Sequence, residues 1–140
     1  MPILSNYHTH TRFCDGENSA AEMAEAAATL GFTALGFSGH MDQEISMDFE
    51  AYRAEIERLR GLYEGRMDIL CGVELDTLYE DPAACKDAEY VIGSTHYLAV
   101  PDPALASVDT SAEQTRTMVD TYFGGDWYAF ARAYYDLEAT

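Results

Sequence analysis

The stretch Ser19-Ala20-Ala21-Glu22-Met23-Ala24-Glu25-Ala26-Ala27-Ala28-Thr29-Leu30-Gly31-Phe32-Thr33-Ala34-Leu35-Gly36-Phe37 decides the fold class. Ser19 with Glu22 three positions later forms a capping box, in which hydroxyl and carboxylate satisfy each other's free backbone N–H groups. Met23, Ala26, Ala27 and Leu30 recur at helical spacing, and Gly31 supplies the stop. The apolar run Thr33–Phe37 follows at once and reads as a buried strand ending near His40.

The same alternation continues outward. A second helix is expected from about Phe49 to Tyr63, with Phe49, Tyr52, Ile56 and Leu59 on one stripe. Its outer face alternates acid and base (Glu55 with Arg58, Glu57 with Arg60), as a solvated face with helical ion pairs does. Strands are expected at Ile69–Val73, ending at Glu74, and at Tyr90–Thr95, ending at His96. Thr110 with Glu113 reads as a second capping box opening a helix to about Phe123. Gly124-Gly125 breaks it, and Asp126 caps a last segment rich in aromatics: Trp127, Tyr128, Phe130, Tyr134 and Tyr135. A stripe of that kind usually belongs to a core or an interface. No repeat, low-complexity tract or Gly/Ser linker interrupts the chain. Alternating strands and helices of this size give an α/β protein with parallel strands and flanking helices, in one domain spanning residues 1–140.

The 140 residues carry 25 acidic and 8 basic side chains, a formal charge of −17. Such a surface repels phosphate backbones and anionic membranes, so no nucleic-acid or membrane partner is expected. No apolar run is long enough to span a bilayer. The first residues lack a basic stretch before an apolar segment, so no secretory signal is expected. Cys14, Cys71 and Cys85 are odd in number and lack metal-type spacing, which suits free thiols in a cytoplasmic protein.

All four histidines, His8, His10, His40 and His96, fall at expected strand ends. His8 and His10 are two apart, so on extended backbone both imidazoles project to one side, a chelate for zinc, manganese or iron. Asp15-Gly16 places a carboxylate in a turn close behind them. Glu74 and His96 terminate later strands, where α/β folds gather their ligand sites. Imidazole with carboxylate suits these borderline cations better than calcium, which prefers oxygen alone.

The segment Tyr7-His8-Thr9-His10-Thr11-Arg12-Phe13-Cys14-Asp15-Gly16 resembles the opening motif of the polymerase-and-histidinol-phosphatase (PHP) superfamily. Gly36-Phe37-Ser38-Gly39-His40, Gly72-Val73-Glu74-Leu75-Asp76 and Ile92-Gly93-Ser94-Thr95-His96-Tyr97-Leu98 are similar to its next motifs, in order. The last of these, with Tyr122-Phe123-Gly124-Gly125-Asp126, looks most like the histidinol-phosphatase branch. The resemblance implies a distorted (β/α)7 barrel with up to three divalent ions at its mouth. His8 and His10 would hold one metal, Glu74 would bridge to a second bound by His96, and Asp15 and His40 would hold the third. Glu74 and His40 are thereby assigned a catalytic part, while Arg12, Asp42 and Tyr97 follow ligand positions and are candidates for substrate contact. The implied reaction is hydrolysis of a small phosphomonoester, with L-histidinol phosphate first among candidates. A non-catalytic metal-binding fragment, or action on another phosphate ester or nucleotide, is the alternative.

By the same resemblance the family completes its site with a later histidine and an Asp-x-His motif, and this sequence has neither. A closed α/β barrel needs ~200 residues or more, so 140 residues are expected to build roughly half of one, with impaired activity. A half barrel leaves a sheet edge to be covered, from which a homodimer or higher oligomer is expected.

Overall fold

Four parallel strands lie side by side in the order β1 (Ser5–Asn6), β2 (Ala34–Met41), β3 (Asp68–Asp76) and β4 (Tyr90–Ser94). They belong to a computed structural model that describes residues 4–42, 45, 47–78 and 85–139. The β1–β2 and β2–β3 ladders are parallel in their pairing. Beside β3, the Glu89 N–H donates to the Cys71 carbonyl (2.7 Å) and the Thr77 N–H to that of Ser94 (2.9 Å). The bonded positions thus advance together, as parallel strands require. Every residue of β2 is buried, which explains its nearly unbroken apolar reading.

Register sets the two faces. Ser38 pairs with Gly72 and His40 with Glu74, so Gly36, Ser38 and His40 share one face with Leu70, Gly72 and Glu74. The opposite face carries Leu35, Phe37, Ile69, Cys71 and Val73, all buried. Two helices, α1 (Ala20–Thr29) and α2 (Phe49–Tyr63), complete this layer and pack on each other. The expected α2 stripe is buried in full, with Tyr63 added. Ile56 and Leu59 are inaccessible to solvent, each contributing about 1.5–3 kcal/mol by burial. The Tyr52 hydroxyl donates to the Gly72 carbonyl at 2.9 Å, tying helix to sheet. The outer face shows the expected ion pairs, Arg58–Glu55 at 2.7 Å and Arg60–Glu57 at 2.8 Å.

In α1 the capping box forms as expected, but the buried stripe is Ala20, Ala24 and Ala27. Leu30, expected inside, is 69% exposed, and Ala26 is exposed as well. The small side chains win the inner face because α1 sits close to both β2 and α2, where a larger residue would not fit.

Contact density divides the chain into two compact units, Met1–Leu75 with Glu80–Ile92, and Asp76–Tyr79 with Gly93–Thr140. In the second, a loop after β4 returns through a Tyr97–Ser107 bridge to α3 (Ala112–Phe123) and α4 (Trp127–Glu138). Ser111, not Thr110, caps α3, accepting from the Gln114 N–H. The Thr110 hydroxyl instead donates to Ser107 Oγ at 2.8 Å, so a nearby turn captures the side chain that the pattern assigned to the helix. Gly124, at φ 61°, ends α3 in the left-handed region, and Asp126 caps α4. The α4 aromatics make ring contacts (Phe130 with Phe123 and Trp127), yet no described residue of α4 is fully buried. They are not a core: Tyr128 is 86% exposed and Tyr135 67%.

The corrected α1 stripe has a direct test. Ala24→Leu is expected to cost about 1–3 kcal/mol through overpacking, and Leu30→Ala to change stability by less than about 0.5 kcal/mol. Urea denaturation of both variants distinguishes this stripe from the one centred on Leu30.

Candidate metal centre

The segment after β1 is fastened to β2 through Thr9, the residue between the first two histidines. The Thr9 N–H donates to Ser38 Oγ (3.1 Å), its hydroxyl to the Gly36 carbonyl (2.7 Å), and the Ser38 N–H returns to the Thr9 carbonyl (2.9 Å). With Thr9 buried against the sheet, its neighbours project the other way. The His8 and His10 rings stack at 5.2 Å and 29°. The chain then turns back: the N–H groups of Cys14 and Gly16 both donate to the Thr11 carbonyl at 3.0 Å. Gly16 lies so close to His10 that a Cβ there would stand 2.5 Å from the His10 carbonyl carbon. Only glycine allows this approach, and it delivers Asp15 Oδ1 to within 2.9 Å of His10 Nδ1.

Glu74 supplies the second carboxylate. Its Oε2 lies 2.9 Å from His8 Nε2, 3.0 Å from His10 Nε2 and 3.5 Å from His40 Nδ1, with the residue only 4% exposed. His40 also faces Asp15 Oδ2 at 3.5 Å through Nε2, and meets the His10 ring edge-on at 4.3 Å. Asp42, buried one residue beyond β2, stands 3.7 Å from His40 Nδ1 and accepts the Ile45 N–H at 2.6 Å. The structure therefore brings together His8, His10, Asp15, His40, Asp42 and Glu74 from the expected set.

Both nitrogens of His10 face carboxylate oxygens at about hydrogen-bond distance. A lone pair on either nitrogen would be repelled, so the ring needs a second proton or a cation between the groups. Without a cation the His10 pKa rises to about 10, through hydrogen bonds to Cys14, Glu74 and Asp15 that outweigh burial. Burial opposes ionisation of Cys14 and Asp15, yet both are held below their ordinary values, chiefly by His10. Two triads, His8–His10–Glu74 and His10–Asp15–His40, each bring three ligand atoms within 4.8 Å of one another. They share His10, and their mixed imidazole and carboxylate donors fit zinc, manganese or iron.

His96 stands in the second unit, where both sides of its backbone are fixed. Its N–H donates to Asp76 Oδ2 (2.7 Å) and its carbonyl accepts from the Val108 N–H (2.8 Å). The ring Nδ1 lies 3.2 Å from Ser94 Oγ and 3.5 Å from Asp76 Oδ2. Burial would raise the Asp76 pKa, but His96 and the Leu78 N–H hold it low. Asp76 and Cys14 went unread as site residues. Asp76 had a signal, being two positions after Glu74 in a strand and so on the same side of it. Cys14 had none beyond its place beside Asp15. Tyr97 is buried beside His96, with ring centroids 6.4 Å apart. Arg12 is committed elsewhere: its Nε donates to the Glu17 carbonyl (2.7 Å), and Nη1 lies 3.5 Å from Glu22. A cavity of about 790 Å3 is lined from the starts of β2 and β3 (Ala34, Asp68, Ile69), and none of the histidines lines it.

A parallel α/β sheet here gathers imidazoles and carboxylates at the ends of its strands, in groups that could hold a metal ion. Residues 6–139 match the PHP domain, and the chain belongs to that family. It is 33% identical to a probable histidinol-phosphatase of Deinococcus radiodurans, over an alignment covering 70% of this chain and 44% of the relative. Its fold resembles the crystal structure of histidinol phosphate phosphatase from Lactococcus lactis complexed with zinc, L-histidinol and phosphate. That likeness has a TM-score of 0.59 at 18% identity, covering 84% of this chain and 54% of the other. The four strands and their helices thus correspond to part of a PHP barrel, and the chain spans about half the length of these relatives.

Gly16→Ala is expected to push Asp15 away from His10 and to destabilise the chain by about 1–3 kcal/mol. The His10 ring resonances should move in the nuclear magnetic resonance spectrum of the metal-free protein. Unchanged resonances would show that the turn does not set this contact.

Proposed function

We propose that this chain carries metal-binding machinery of a phosphoesterase that hydrolyses a small phosphomonoester, L-histidinol phosphate being the leading candidate. The observation that carries the reading is the pair of ligand triads sharing His10. The substrate class is supported by the relative named as a probable histidinol-phosphatase and by the neighbour solved with L-histidinol and phosphate. In this reading His8, His10 and Glu74 hold one divalent ion, and His10, Asp15 and His40 a second, and His96 is a further candidate metal ligand. Such an ion, when bound, polarises phosphoryl oxygens and lowers the pKa of coordinated water.

The protein's own groups then have separate tasks. Glu74 places one buried oxygen before three imidazoles, and Asp42 stands near the same His40 nitrogen, Nδ1, that Glu74 faces. Asp76 fixes the backbone of His96. Tyr97 and Arg12 remain candidates for substrate contact; Arg12 would have to leave Glu17 and Glu22 to serve. The charge of −17 disfavours a polynucleotide substrate. No described helix is long and apolar enough to cross a membrane, and the proposed setting is the cytoplasm, with Cys14, Cys71 and Cys85 as thiols rather than disulfides.

A second reading is metal binding with turnover impaired or absent in this chain. A homodimer or higher oligomer belongs to the proposal too, supported by exposed Val91 on β4 and by exposed Trp127, Tyr128 and Tyr135 on α4. Sedimentation that finds only monomer at high concentration would rule out that part.

Metal content by inductively coupled plasma mass spectrometry, with phosphate release from histidinol phosphate in the same sample, tests the main reading. Stoichiometric zinc, manganese or iron is expected, and Glu74→Gln should weaken its binding by about 10-fold or more. Metal with turnover supports the enzyme, metal without turnover the second reading. No metal after reconstitution refutes both.

A further inference from the structure

Half-buried Tyr90, the first residue of β4, lies across the face of the sheet that carries His40 and Glu74, but at the other end of the strands. Two glycines make room for its ring. A Cβ on Gly72 would stand 2.2 Å from the ring's Cζ, and one on Gly36 would stand 2.3 Å from the phenolic oxygen. The hydroxyl reaches two backbone carbonyls, Tyr7 at 2.7 Å and Phe37 at 3.0 Å, and shares its single proton between them. The Tyr7 ring meets that of Tyr90 edge-on at 6.3 Å.

The Tyr7 carbonyl belongs to the peptide that leads into His8. The N–H of that same peptide donates to Asn6 Oδ1 at 3.1 Å, so both polar ends of one peptide plane are held. Thr9 is locked to β2 immediately afterwards. The His8 side chain, by contrast, is half exposed and has Glu74 as its close partner. Where the ring points therefore depends on how its backbone is presented, more than for the enclosed His40.

We infer that Tyr90 is a positioning residue for His8, acting through the Tyr7 carbonyl to orient the peptide that presents this imidazole to Glu74. The hydroxyl works at a distance: it touches neither ring nor carboxylate, and spans from β4 to the segment after β1 across two intervening strands. Gly36 and Gly72 are part of the same device, because any side chain there displaces the Tyr90 ring. Burial raises the Tyr90 pKa, so the hydroxyl keeps its proton throughout the neutral range. The structural part stands without any metal; the functional consequence rests on the proposed metal site.

Tyr90→Phe keeps the ring in its socket and removes the hydroxyl. In the metal-free protein the His8 amide and ring resonances should shift while those of His96 stay in place. Zinc affinity, measured by competition with a chromophoric chelator, should fall about tenfold, with only a small loss in melting temperature. As a second variant, 3-fluorotyrosine at position 90 keeps ring and hydroxyl and strengthens the donor, so its fold should match the wild type. It should move the His8 resonances by a smaller amount and leave zinc affinity within about threefold. Unchanged His8 resonances in either variant, or equal shifts at all four histidines, would overturn the assignment. Wild-type protein that binds no zinc would defeat the metal reading alone, since the resonance shifts decide the role of Tyr90 without it.

Discussion

Burying a carboxylate costs several kcal/mol unless opposing charge and hydrogen bonds answer it, and Glu74 is 4% exposed. Its Oε2 is answered by three imidazoles from two segments of the first unit: His8 and His10 after β1, and His40 in β2. Much of the local architecture follows from this meeting. The β2–β3 register opposes His40 to Glu74; a slip of one residue would send one of them to the helix-covered face. The Thr9–Ser38 exchange holds the segment after β1 at the same level. Gly16 brings Asp15 to the far nitrogen of His10, so that negative charge lies on both sides of one ring. Imidazoles alone answer two carboxylates only by binding extra protons. A divalent ion would answer them with less crowding, which is what supports the proposed reading of this grouping as a ligand set.

One face of the sheet thus holds two unlike environments along the same strands. Toward the strand carboxyl ends it presents His40 and Glu74; toward the beginnings it offers Gly36 and Gly72, filled by the Tyr90 ring. The arrangement is economical in residues. Side chains alternate faces with a period of two, so glycine, glycine and glutamate at Gly36, Gly72 and Glu74 fall on one surface without disturbing Phe37, Cys71 and Val73 on the other. The apolar side supplies the burial that holds the strands, and the polar side is free to spend its positions on chemistry.

The α/β alternation was legible because its signals are local: the Ser19–Glu22 capping box, the α2 stripe and the apolar runs all formed where their spacing placed them. What failed depended on neighbours. The α1 stripe rotated toward Ala20, Ala24 and Ala27 because the space against β2 admits only small residues, a property of the partner surface rather than of the helix. The α3 cap moved by one position because Ser107 drew Thr110 into a turn. Within the site, His8, His10, Asp15, His40 and Glu74 could be picked out by residue type at strand ends. The groups that hold the segment of His8 and His10, namely Thr9, Ser38 and the hydroxyl of Tyr90, could not. Threonine, serine and tyrosine are common in any strand, and only pairing across the sheet gives these their partners.

The charge pattern favours cations over anions near the imidazole cluster. Of the basic side chains, Arg53, Arg58 and Arg60 are paired to acids along α2, Arg60 also to Glu89, and Arg12 is paired to Glu22. Arg66 lies over the Tyr63 ring. None of these guanidinium groups is available to the imidazole cluster as placed, while the chain as a whole carries 25 acidic residues. A field of that sign concentrates cations and repels anions. Such a field favours a divalent ion at the bare protein, whereas a phosphate ester would be attracted only if ions brought positive charge to the site. The acidity that argues against nucleic acid thus suits the imidazole and carboxylate groups to a cation, and in the proposed reading an anion would be drawn only by the positive charge that a bound ion adds.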